Sequence, residues 1–85
     1  MGSYRVLIKP SAANELESIP RKDRARIAAK ISALGDNPRP AGSEKLSDRE
    51  QYRIRQGRYR VVYSIADAEN TVLVVKVAHR REAYR

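Results

Sequence analysis

The sequence predicts an α+β fold: a small antiparallel sheet, with elements in the order β-α-α-β-β-β and a helical hairpin packed on one face, within a single domain of residues 1–85. Three observations point to it. From Gln51 to Tyr63, charged and apolar residues alternate on both sides of a glycine, the pattern of a β-hairpin. Ile27, Ala28, Ile31 and Leu34 recur at helical spacing. Thr71 to Ala78 is a nearly continuous apolar run, as in a strand buried on both faces.

Taken in order, Tyr4 to Lys9 is a first strand closed by Pro10. Ser11 is the expected N-cap of a short helix with Asn14 and Glu15 in its first turn, and Ala12, Leu16 and Ile19 form its apolar stripe before Pro20. Lys22 to Leu34 is a second, amphipathic helix whose outer face bears Arg21, Arg24, Arg26 and Lys30. Those cations fit a solvated face and an RNA footprint equally well. Gly35 to Gly42 is turn chemistry throughout. In the hairpin, Gln56-Gly57 as central turn residues would set Arg55 opposite Arg58, Ile54 opposite Tyr59, Arg53 opposite Arg60 and Tyr52 opposite Val61. Asp67 to Asn70 is a second turn before the last strand, and the tail from His79 to Arg85 leaves that strand where it can project His79, Arg80 and Tyr84 onto an open face.

Strand alternation then collects Arg53, Arg55, Arg58 and Arg60 on one face, and Tyr52, Ile54, Tyr59, Val61, Tyr63 and Ile65 on the other. The tyrosines at 52, 59 and 63 read as core. The helices must cover the apolar face, which leaves the arginines exposed. Like charges opposite one another destabilise a ladder, so a dense arginine face calls for a function. Guanidinium forks match phosphate geometry and stay charged at any cellular pH. A net charge of +8 on 85 residues agrees, implying an anionic partner such as RNA, DNA or an acidic protein. With no cysteine, a disulfide framework, thiolate metal sites and cysteine nucleophiles are excluded, and the composition suits a reducing compartment. The apolar runs are too short to span a bilayer, and Met1-Gly2-Ser3 leads into a strand without a signal-peptide core. The expected location is cytoplasmic, with no membrane partner.

Over its whole length the chain resembles the RelE-type toxins of bacterial toxin–antitoxin pairs. The resemblance lies in the Lys45-Leu46 step, in Tyr52-Arg53-Ile54-Arg55 with Gly57 and Tyr59-Arg60-Val61-Val62-Tyr63, and in the tail Val77-Ala78-His79-Arg80-Arg81-Glu82-Ala83-Tyr84-Arg85. It implies a small RNase that cuts messenger RNA in the ribosomal A site, and an antitoxin that wraps the toxin and, as a complex with it, binds operator DNA. It also implies a basic pair at Arg53 and Arg55, a strand arginine at Arg60, a further arginine at Arg80 and a terminal tyrosine at Tyr84. The spacing from Arg80 to Tyr84 is shorter than in the best-studied members, and His79 stands where some relatives have lysine.

Without a metal cluster or paired-carboxylate motif, and with no cofactor expected, cleavage would proceed by attack of the ribose 2′-OH on the adjacent phosphate, leaving a 2′,3′-cyclic phosphate and a 5′-OH. Arg60 and Arg80 would stabilise the phosphorane, and Tyr84 or His79 would transfer the proton. Arg53, Arg55, Arg58, Arg81 and Lys45 would bind RNA. Two alternatives stand beside this: a gyrase inhibitor like the ParE toxins, which share the Tyr-Arg-Val-Val-Tyr strand, and a module that grips nucleic acid without cutting it.

Overall fold

Proline and glycine punctuate the chain into the elements that form. The computed structural model describes residues 4–46 and 51–79. They comprise β1 (Arg5–Ile8), α1 (Pro10–Glu17), α2 (Arg21–Ala33), β2 (Glu44–Leu46), β3 (Gln51–Gln56), β4 (Tyr59–Ala66), a 3₁₀ turn (Asp67–Glu69) and β5 (Thr71–His79). The α+β class and the helical hairpin are as expected. Pro10 takes the first turn of α1, where its missing N–H costs nothing, so the N-cap is Lys9 and Ser11 lies inside the helix.

The sheet runs β1-β5-β4-β3-β2. It departs from the expected antiparallel sheet in two ways. The three-residue β2 is added at one edge, antiparallel to β3. At the other edge β1 lies parallel to β5: the chain leaves the helices into β2, which runs against β1, and the three antiparallel steps from β2 to β5 bring the last strand round to the direction of β1.

The hairpin turn also lies one residue later than expected. Its central residues are Gly57 and Arg58, so Gln56 faces Tyr59, Arg55 faces Arg60, Ile54 faces Val61, Arg53 faces Val62 and Tyr52 faces Tyr63. Gly57 has φ 59° and Arg58 has no positive φ, the sign pattern of a type II′ turn, which takes glycine first. Moving the turn by one residue moves each cross-strand partner by two, so the division of side chains between faces survives.

One face is buried under the helices. Ile27, Ile31 and Leu34 of the second helical segment, with Ala12 and Ile19 of the first, pack on Tyr52, Ile54, Val61, Tyr63, Ile65, Val72, Val74 and Val77. Ala28 is exposed beside that stripe. β5 is buried mainly on this face: Thr71, Leu73 and Val75 are half-buried, and on the other face only Ala78, opposite Arg60, is buried among the described residues of the strand. The register shift between Val62 and Tyr63, opposite Val75, explains its unbroken apolar run, since the extra residue of a bulge interrupts alternation. Beyond the end of β1, the edge of β5 is covered by α1, where the Glu15 carboxylate accepts from the Val77 N–H at 3.0 Å and pairs with Lys76 at 3.2 Å.

Candidate nucleic-acid interface

The face without helices presents Arg53 and Arg55 from β3 and Arg60 from β4. Arg55 stands directly opposite Arg60, the arrangement a ladder tolerates least. Burial grades the three. The Arg55 side chain is 56% exposed and that of Arg53 only 11%, while Arg60 is a buried residue at 7%. Its guanidinium is thus held in a partly desolvated setting, where charge interactions are stronger than in water.

An acidic residue unforeseen in the sequence joins them. Glu44, opposite Arg53 in the β2–β3 ladder, accepts from Arg53 at 3.0 Å through Oε2 and pairs with Arg55 at 3.6 Å through Oε1. Hydrogen bonding from Arg53 holds the Glu44 carboxyl below its ordinary value, and the fields of Arg53, Arg55 and Arg60 add to the effect. The signal for it was present, since Glu44 immediately precedes the Lys45-Leu46 step. Finding it required the β2 strand, which is too short to announce itself.

The loop that delivers Glu44 is tied down by a polar cluster. Arg39 donates to the Tyr52 hydroxyl through Nε at 3.1 Å and to both oxygens of Asp67 at 3.3 and 3.0 Å, and its guanidinium lies 5.2 Å from the Tyr52 ring centroid. Tyr4 donates to Asp67 at 2.6 Å, and the buried Tyr63 hydroxyl donates to the Pro38 carbonyl at 2.7 Å. The Tyr52 and Tyr63 rings stack at 5.9 Å. Arg39, then Tyr4, hold Asp67 below the usual carboxylate range, while burial pushes Tyr63 up to about 12. These contacts fasten residues 38–39 to the sheet, and Gly42, at φ 92°, makes the bend into β2.

Other expected members lie elsewhere. Arg58 occupies the turn. Lys45 pairs with Tyr52, so it projects from the helix side of the edge strand. His79 does not reach the arginine face as expected: it pairs with Tyr59 on the helix side, and the two rings meet edge to face at 5.7 Å. Strand parity is the reason, since Ala78 is the residue opposite Arg60. Arg80, Arg81 and Tyr84 lie outside the described residues. No group of three or more potential metal ligands occurs among the described residues, and none of their helices is long and apolar enough to cross a membrane.

Comparison with known proteins places this architecture. The family model described as the ParE toxin of the type II toxin–antitoxin system parDE matches residues 6–84. Toxin RelE of Mycobacterium tuberculosis is 34% identical over 84 residues, covering 96% of this chain and 87% of its own. Among solved structures, the RelBE2 toxin–antitoxin complex of M. tuberculosis superposes with a TM-score of 0.80 at 26% identity, over 92% of this chain and 99% of that one. The archaeal RelE–RelB complex of Pyrococcus horikoshii gives the same TM-score and identity, over 92% and 96%. With a family model spanning nearly its whole length and a curated toxin at this identity, the chain belongs to the RelE/ParE family of type II toxin–antitoxin toxins.

Proposed function

We propose that this toxin is a ribosome-dependent messenger RNA endonuclease, neutralised by a cognate antitoxin and acting without a metal. The observation that supports this reading is the helix-free face, where Arg53, Arg55 and Arg60 converge and Arg60 is buried. An arginine kept buried opposite another arginine is a poor structural choice and a good phosphate ligand. In the reaction the ribose 2′-OH attacks the adjacent phosphorus, the 5′-oxygen leaves, and the products are a 2′,3′-cyclic phosphate and a 5′-OH. Arg60, with Arg80, neutralises the charge that develops on the phosphorane. Arg53 and Arg55 hold the flanking phosphates, and Tyr84 transfers a proton or stacks on a base. His79 is replaced as the proton-transfer candidate, because its ring packs on Tyr59 at the opposite face. The absence of a conventional acid–base pair on the arginine face among the described residues explains the dependence on the ribosome, which would align the RNA.

An antitoxin partner follows from the solved relatives, which are toxin–antitoxin complexes with RelB. Its covering segment should be rich in Asp and Glu, since an arginine face is masked most effectively by carboxylates. On this proposal the complex, and not the free toxin, binds operator DNA.

The match to a ParE model favours one competing reading, gyrase inhibition without cleavage. Incubating the purified toxin with programmed ribosomes separates the two. Cut messenger within the A-site codon is expected. Intact messenger, together with a loss of gyrase supercoiling, would transfer the reading to the gyrase branch.

A further inference from the structure

Glu44 lies at the β2 edge of the arginine face, with its carboxylate on the guanidiniums of Arg53 and Arg55, where a phosphate held by those two arginines would have to sit. One oxygen is 3.0 Å from Arg53 NH2 and the other 3.6 Å from Arg55 NH2, and Arg60 is close enough to add to the field on it. A carboxylate presents two oxygens to guanidinium forks much as a phosphate does. We propose that Glu44 is an internal stand-in for phosphate, a specificity-determining residue that must be displaced before RNA engages Arg53 and Arg55, so that the face rejects lone anions and admits ligands bringing several phosphates at once.

The proposal rests on the reading of this face as an RNA site. The placement of Glu44 suits a displaceable group. Its side chain is 52% exposed, it sits on a three-residue edge strand, and Gly42 at φ 92° begins the approach to that strand. Swinging it into solvent therefore disturbs no core contact. A single anion would exchange for Glu44 one for one and gain little. Successive phosphates on a strand bring additional charge to Arg60 and its neighbours, and the exchange becomes favourable. Glu44 would then keep the free toxin's arginine face partly neutralised at rest.

The test is fluorescence anisotropy with a labelled single-stranded RNA decamer, across a salt series, on the wild type, Glu44→Gln, Arg53→Ala and Glu17→Gln. Glu17 is an exposed acid of α1, outside the arginine face. Glu44→Gln should bind about three- to fivefold more tightly, the scale of one exposed ion pair no longer competing. Its plot of log K against log salt should be no shallower than that of the wild type, because the same guanidiniums meet the same phosphates. Glu17→Gln should change neither quantity, and equal tightening there would reduce the effect to net charge and overturn the proposal. If Glu44→Gln binds like the wild type while Arg53→Ala loses binding, the RNA face stands and the role of Glu44 falls. If neither the wild type nor Glu44→Gln binds at about 50 mM salt, where phosphate contacts are strongest, the RNA reading falls too.

Discussion

At the scale of single residues, the arginine face separates groups that serve stability from groups that oppose it. Arg55 is exposed and stands across from Arg60, so Arg55→Gln should leave the melting temperature unchanged or raise it while weakening RNA binding, a trade of function against stability. Arg60 is different. Its burial preorganises the guanidinium, and Arg60→Ala should slow single-turnover cleavage on ribosomes by about 10²–10³-fold, the loss expected for one oriented charge donor. His79→Gln should stay well short of the about 10²–10⁴-fold loss that follows removal of an acid–base group, since its ring lies against Tyr59 on the helix side. A His79→Gln defect as large as that of Arg60→Ala would return the histidine to the reaction.

At the scale of elements, the polar cluster around Arg39 decides where β2, and with it Glu44, comes to rest. Tyr63→Phe keeps the ring stacked on Tyr52 but strips the Pro38 carbonyl of its donor, at a cost of about 1–3 kcal/mol for a buried unsatisfied acceptor. In a domain this small each kcal/mol lowers the melting temperature by about 4–8 °C, measurable by calorimetry. Part of this organisation was legible in the sequence. The helices, the hairpin and the division of arginines from tyrosines follow from periodicities of 3.6 and 2, which survive small errors of register. The turn position itself was not legible, because Gln56-Gly57 and Gly57-Arg58 both put glycine in the loop, and only the positive φ at the first central residue decides between them. The parallel β1–β5 pair and the bulge at Val75 depend on contacts remote in sequence, which no local pattern encodes. β2 escaped notice because three residues carry no periodicity, and so Glu44 escaped with it.

At the scale of the whole molecule, charge determines how stability depends on pH. Asp67 is held below its ordinary value chiefly by hydrogen bonding from Arg39, and Glu44 chiefly by Arg53. A group depressed on folding contributes stability that is complete above its unfolded pKa and is lost as pH falls through the lower, folded value. Both contributions should therefore be intact from about pH 5 upward and fade as pH falls below about 4 toward the depressed folded values. Tyr63, pushed up to about 12 by burial, and Tyr4, raised by its hydrogen bond to Asp67, behave oppositely. Their contributions are complete below about 10, the unfolded value, and fade as pH climbs toward the folded ones. The urea midpoint should thus be nearly flat between about pH 5 and 9 and fall on either side. Because protonating carboxylates also raises the net positive charge of an already basic chain, the acid limb of the wild type mixes local and global effects. Variants separate them. Arg39→Ala releases Asp67 toward its ordinary value, so the stability difference between wild type and variant should be largest near neutrality, begin to shrink below about pH 4, and vanish only once pH has fallen through the depressed wild-type value and the carboxylate is protonated in both. On the alkaline side Tyr63→Phe, having no hydroxyl to ionise, should lose less stability between about pH 9 and 12 than the wild type does. If the Arg39→Ala difference were the same at low pH as at pH 7, the Arg39–Asp67 contact would contribute packing without charge pairing, and the acid limb would belong to Glu44 and the overall charge.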